Sequence, residues 1–189
     1  MTTLITILTN GYADWETALL NVVARQYYEI DTHYATPGGR PVVSAAGLRV
    51  TPDLAVEAID PARLDGLVLN GGTAWAAPGS PDLCALLQAT HAAERLVGGI
   101  CDATLALARA GLLDRVSHTS NNLDGLAATG YGGAAFYRDT PAAVSDGGIV
   151  TAPGTAPISF MAAIMRGLGR YDDNLEFYLG LHAAEHRAA

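Results

Sequence analysis

Residues 96–113 read LVGGICDATLALARAGLL, and the chain's most reactive arrangement sits in their middle. An apolar run suited to a buried strand stops at Gly98-Gly99-Ile100, and a helix-forming run begins with Asp102-Ala103-Thr104-Leu105. Cys101 stands at the joint. Gly99-Ile100-Cys101-Asp102-Ala103 has the form of the nucleophile elbow G-x-S-x-G, with cysteine for serine and alanine for the final glycine. Small residues are needed two before and two after because a sharp strand-to-helix turn brings the backbones together. Such a turn exposes the sulfur at a helix amino terminus, where free N–H groups and the dipole favour thiolate over thiol. The competing assignment is a small buried residue at a tight turn, since free cysteine is among the most buried residue types. Cys84, in PDLCALLQ, reads as inert, inside a helix beside Leu83 and Leu87.

A cysteine nucleophile needs a group to manage its proton and N–H donors for a developing oxyanion. Asp14-Trp15-Glu16 begins a helix after the first strand, and His118 ends a short strand candidate. Asn70-Gly71-Gly72 closes a middle strand, where glycines let backbone N–H groups approach a ligand. Singly, Glu16 suits a first-turn acid, His118 a core imidazole and Gly71-Gly72 an ordinary turn. Together they fall at one rim of one sheet. Asp14 reads as a capping acid.

The elements that must position these groups follow from periodicity. Short apolar runs at 4–8, 28–35, 65–69 and 148–152 predict strands, and 116–119 a further short one; 41–50, around Gly47, predicts a small hairpin. Trp15, Ala18, Leu19, Val22 and Val23 recur at helical spacing and predict a helix over 14–27. Further helices are predicted at 81–95, 158–168 and 173–186, and 121–142 reads as glycine-rich and irregular. Strands alternating with amphipathic helices predict an α/β fold, a mostly parallel sheet with helices on both faces. Sites in such sheets lie beyond the carboxyl ends of the strands, where Cys101 falls. One domain over 1–189 is expected, with no repeat or linker.

Composition removes several classes of function. The formal net charge is −8 and no basic run could neutralise a row of phosphates, so nucleic acid and acidic membranes are not expected partners. All 11 cations are arginine. Without lysine there is no Schiff base, Ser-Lys dyad or Walker-type phosphate loop. The start, MTTLITILTNGYADWE, has no positive n-region, and no apolar run reaches the ~20 residues of a membrane span, so a cytoplasmic protein is expected. Two cysteines in a reducing compartment argue against a structural disulfide. His182-Ala183-Ala184-Glu185-His186 matches the zinc pattern H-x-x-E-H but closes the chain with no downstream ligand, so no metal is expected there. Gly130-Tyr131-Gly132-Gly133 precedes no helix and suggests no dinucleotide site; no cofactor is expected.

The combination strongly resembles the ThiJ/PfpI superfamily, with its class I glutamine amidotransferase-like domain. The matching residues are ADWET at 13–17, LVLNGG at 67–72, GGICDATLALARAGLL at 98–113, SHTSN at 117–121 and DGGIVTAPGTAPISFMAAIMRGLG at 146–169. The resemblance implies a flavodoxin-like three-layer sandwich and a homodimer. It implies that Cys101 is the reactive residue, that Glu16 lies against its sulfur, that Gly72 and Asp102 supply oxyanion N–H groups, and that His118 is near the thiol. The peptidase branch resembles this chain less, carrying histidine directly after the cysteine where Asp102 stands. True glutamine amidotransferases carry a late His-x-Glu pair where Pro153-Gly154-Thr155 lies. Both activities are therefore disfavoured. What remains is a cysteine-dependent enzyme acting on a small electrophile by glyoxalase, deglycase, hydratase or amidase-like chemistry. The alternatives are a redox-sensing stress protein, in which a Cys101 sulfinate is held by Glu16 in its acid form, and a catalytically silent dimeric binding module.

Overall fold

Branched apolar residues in short runs build the sheet, because a parallel strand covered on both faces needs apolar side chains at every position. β1 (Thr3–Ile7), β2 (Asp31–Thr36), β5 (Leu54–Ala55), β6 (Gly66–Leu69), β7 (Leu96–Ile100), β8 (Val144–Asp146) and β9 (Ile149–Ala152) form seven strands in the order β5-β2-β1-β6-β7-β9-β8. All neighbours are parallel except β8, which pairs antiparallel with β9 at one edge. Every residue of β6, β7 and β9 is buried. A separate hairpin pairs β3 (Val42–Val43) with β4 (Arg49–Val50). The computed structural model describes the backbone of residues 1–187 and the side chains of residues 1–184.

Alternation along the strands divides the interior into two cores. Ile5, Ile7, Leu67, Leu69 and Val97 face α2 (Cys84–Ala92) and α3 (Thr104–Arg109) through Leu87 and Leu107. Leu4, Val68, Ile100 and Val150 face α1 (Asp14–Val22) and α5 (Pro157–Gly167) through Leu20, Phe160, Met161 and Ile164. The fold is thus the flavodoxin-like three-layer sandwich. Short α4 (Leu123–Ala127) and closing α6 (Asp173–Arg187) complete it. No helix among the described residues is long and apolar enough to cross a membrane.

Several expectations change in detail. The helix predicted over 14–27 is regular to Val22 and then widens into a π-helical turn over Val23–Tyr27. The predicted apolar positions divide: Val23 is buried and Leu19 packs against the core, while Trp15 and Val22 are 58% and 44% exposed and Glu16, Thr17, Leu20 and Asn21 take the rest of the buried face. Residues 116–119 form no strand. His118 makes one isolated bridge, to Tyr137, because β8 and β9 already fill that edge. The irregular 121–142 segment contains α4, started by the Asn122 side chain accepting the Gly125 N–H. The side chains of Glu185 and His186, from the H-x-x-E-H string, lie outside the described residues.

The order β2-β1-β6-β7 contains a switch point. The chain leaves β1 for β2 on one side and later returns to β6 on the other. Crevices form at such points beyond the carboxyl ends of the strands. The segments leaving β1, β6 and β7 carry Glu16, Gly71 and Cys101 respectively.

Candidate active site

Ile100 is the last extended residue of β7, and Cys101 then turns into the left-handed region at φ +60° before a 3-10 turn, Cys101–Ala103, leads into α3. A non-glycine residue there costs about 1–2 kcal/mol, so the turn must be held from outside. The buried Thr104 hydroxyl donates to the Cys101 carbonyl at 2.7 Å and also bonds Ser120 Oγ. The elbow read from the sequence is present.

Glu16 reaches the sulfur from the first turn of α1. It is 1% exposed, and its Oε2 accepts the Gly71 N–H at 2.8 Å. Its Oε1 is buried without a hydrogen-bond partner, and the carboxyl interacts with the Cys101 thiol. The pair is packed so closely that neighbouring positions have no room for a side chain. A Cβ on Gly71 would overlap Glu16 Oε2 and lie 2.5 Å from Cys101 Cβ; one on Gly154 would lie 2.9 Å from Glu16 Oε1 and 3.0 Å from Sγ.

A second set of contacts reaches the sulfur from the loop after residue 116. Asn121 Nδ2 donates to Cys101 Sγ at 3.2 Å and to Asp102 Oδ1 at 2.8 Å, while its Oδ1 accepts the Gly154 N–H at 2.9 Å. The Gly154 carbonyl in turn accepts from Trp15 Nε1 at 3.1 Å. The backbone N–H of Asp102 also donates to the thiol. Spacing alone signals no chemical role for Asn121, Gly154 or Trp15, though all three lie within the segments quoted above.

These surroundings set the charge of the pair. Burial pushes the Glu16 carboxyl up to about 7, with the bonds from Cys101 and Gly71 opposing and the Asp102 charge adding. Burial likewise pushes the Cys101 thiol up to about 11, opposed by the Asn121 donor and reinforced by the charge of Glu16. Two negative charges at contact distance are unfavourable, so the pair carries at most one near neutrality. This corrects the expectation that a helix terminus favours the thiolate: α3 has six residues and starts three residues after the sulfur, and burial beside a carboxyl outweighs it.

A family model matches residues 2–167, under the description DJ-1/PfpI family. The chain belongs to the DJ-1/PfpI family. Among solved structures it is similar to DJ-1 superfamily protein Atu0886 from Agrobacterium tumefaciens, at 45% identity and TM-score 0.96 over 98% of this chain and 100% of that one. It is also similar to a thiJ/pfpI family protein from Bacillus anthracis, at 28% identity and TM-score 0.86 over 96% and 91%. Two curated Bacillus subtilis (strain 168) relatives are named uncharacterized proteases. YoaZ is 34% identical over 67% of this chain, and YdeA 31% identical over 84% of this chain and 79% of its own length. The match spans 61% of YoaZ, less than two thirds of that protein.

Within this DJ-1/PfpI chain the other sequence-derived residues fall as follows. Gly72, at φ +143°, adjoins Gly71, and the Tyr12–Gly72 bridge uses the Ala13 N–H and Gly71 carbonyl, leaving the Gly72 N–H outside that bond. His118 is fully buried, with Nδ1 bonded to the Val116 carbonyl at 2.8 Å and Nε2 to Tyr131 Oη at 3.3 Å, its ring edge-on to Tyr131 and Tyr137. Neither ring nitrogen is bonded to Cys101; Asn121 is. Asp14 does not cap α1. Its carboxylate accepts the Ala46 N–H at 2.9 Å and bonds Ser44, tying down the β3–β4 hairpin. Both cysteines are free. Cys84 starts α2 rather than lying within it, and burial followed by the Asp82 carboxylate raises its thiol.

Proposed function

We propose that the chain is a cysteine-dependent enzyme acting on a small electrophilic carbon, and that a 2-oxoaldehyde carbonyl suits the site best. The observation that carries this is the Glu16 carboxyl, buried, raised to about 7 and bonded to the Cys101 thiol. Addition of a thiol to an aldehyde needs one proton moved from sulfur to oxygen and no leaving group. As the S–C bond forms, the thiol proton passes to Glu16 carboxylate and the carbonyl π pair moves to oxygen. The N–H groups of Gly72 and Asp102 meet that oxygen, and Glu16 returns the proton to give the hemithioacetal; moving the proton on that carbon to the neighbouring carbonyl carbon then gives a thioester, which water cleaves to a 2-hydroxy acid and the free thiol. Peptide hydrolysis also needs a protonated leaving amine. Asp102 offers no imidazole for that work, so the names of the Bacillus relatives are not carried over. His118 takes no step in this reading.

A second reading rests on the same donors: an oxidised Cys101 sulfinate would accept from Glu16 in its acid form and from Asn121. Either chemistry needs a reduced thiol at rest, which the cytoplasm supplies. The working unit in this reading is a homodimer. Trp15, Ala18 and Val22 lie at helical spacing on α1 and are exposed, an apolar stripe whose burial against a second copy would remove it from water. Light scattering at micromolar concentration should give twice the chain mass, and a monomer there would exclude the dimer.

The deciding experiment is a panel of 2-oxoaldehydes, isocyanides, amides and peptides. Consumption of the 2-oxoaldehydes, lost in Cys101→Ser and Glu16→Leu, is the expected result. No turnover, with peroxide adding two oxygens to Cys101, would favour the sensor; turnover of peptides would overturn the proposal.

A further inference from the structure

Asn121 occupies the place at the sulfur where a general base would be expected, yet its side chain cannot take a proton there. Its orientation is fixed. The Gly154 N–H needs an acceptor and meets Oδ1, so the amide nitrogen must face Cys101 Sγ and the Asp102 carboxylate, both of which accept from it. Flipping the amide would set NH2 against the Gly154 N–H and a carbonyl oxygen against a carboxylate. Both are repulsive.

We infer that Asn121 is a catalytic donor, clamped by Gly154 and Asp102, that stabilises developing negative charge on Cys101 and leaves Glu16 as the single proton carrier of the site. The charged groups around the sulfur are Glu16, from α1, whose charge opposes the thiolate, and the Asp102 carboxylate, which is held by the same Asn121 nitrogen. Asn121 and the Asp102 N–H are the groups that favour the thiolate. An amide in this position explains how a thiol beside a buried carboxyl remains usable, and it leaves Glu16 as the group that moves protons there.

The inference rests on Cys101 being the reacting residue, as in the proposed function, but its test reads thiol chemistry and needs no substrate. Iodoacetamide labelling of Cys101 is followed as a function of pH in the full-length protein, with Cys84→Ser as background. Asn121→Ala removes the donor without adding charge. Asn121→Leu also removes the donor without adding charge and keeps the side-chain volume. The loss common to both is the bond to sulfur, so both should slow labelling near pH 7 by about three- to tenfold and shift the alkaline limb to higher pH. A purely structural Asn121 predicts that the alkaline limb of both variants stays where it is in the unsubstituted protein, and that result overturns the inference. If Asn121→Ala fails to fold, Asn121→Leu decides alone. Slowed labelling with no turnover of any carbonyl compound would reject the proposed function and leave Asn121 as the donor.

Discussion

Glu16 Oε2 takes the Gly71 N–H at 2.8 Å while the carboxyl interacts with the Cys101 thiol. One backbone amide thus anchors the carboxyl beside the sulfur, so the chemistry of the elbow depends on the strand beside it.

The first prediction concerns pH. The folded-state Glu16 carboxyl titrates at about 7, above its ordinary 4.5, so the native state holds a proton that the unfolded chain has lost. Stability should therefore fall as pH rises from 4.5 to 7 and then level off. Glu16→Gln keeps an acceptor for Gly71 and a donor toward sulfur without ionising. It should abolish that slope and be more stable than the unsubstituted protein at pH 8, by on the order of 3 kcal/mol. Urea titrations at pH 5 and pH 8 check this; equal slopes in the two proteins would refute it.

Gly71→Ala should damage chemistry and stability together. The new methyl overlaps Glu16 Oε2 and lies 2.8 Å from the Ile100 carbonyl, a backbone atom that cannot swing aside. Overpacking of this kind costs about 1–3 kcal/mol. Labelling of Cys101 should lose its dependence on Glu16, seen as identical pH profiles for Gly71→Ala with and without Glu16→Gln.

His118→Phe should separate fold from chemistry. The imidazole bonds the Val116 carbonyl and the Tyr131 hydroxyl in a fully buried site, and phenylalanine strands both partners at a cost of about 1–3 kcal/mol. Burial lowers the His118 pKa, so the native ring stays neutral and stability drops as pH falls below 6.5. The substitution should flatten that acid limb. Cys101 labelling should stay at the unsubstituted rate, and a marked loss would restore His118 to the reaction.

Asp14→Ala should loosen the β3–β4 hairpin without altering the thiol. Its carboxylate is tied to the Ala46 N–H and Ser44 rather than to α1, so amide exchange should rise at Ala46 and Leu48 by about fivefold or more. Unchanged exchange there would show that the bond does not hold the hairpin.

Cys101 and Glu16 were legible in the sequence because each is announced locally, one by small residues around a strand-to-helix joint, the other by a helix starting just past a strand. Asn121 was not, since its function arises from Gly154, 33 positions later, and from an elbow 20 positions earlier. The sheet was readable wherever both faces are buried. Two-residue β5 and edge strand β8 carry too few apolar positions to show a period, and the 116–119 segment, with Val116 its one apolar side chain, makes only an isolated bridge. Only part of the apolar set on this first helix faces the core, because polar Glu16, Thr17 and Asn21 are buried to serve Cys101, Asn70 and Thr6.

The left-handed backbone at Cys101 has a consequence for anyone engineering this chain. Glycine at that position would relieve the strain, so a search guided by melting temperature alone would favour it there. The thermal ranking of variants and their catalytic ranking should therefore run in opposite directions at residue 101, the reverse of what holds for a residue kept only for packing.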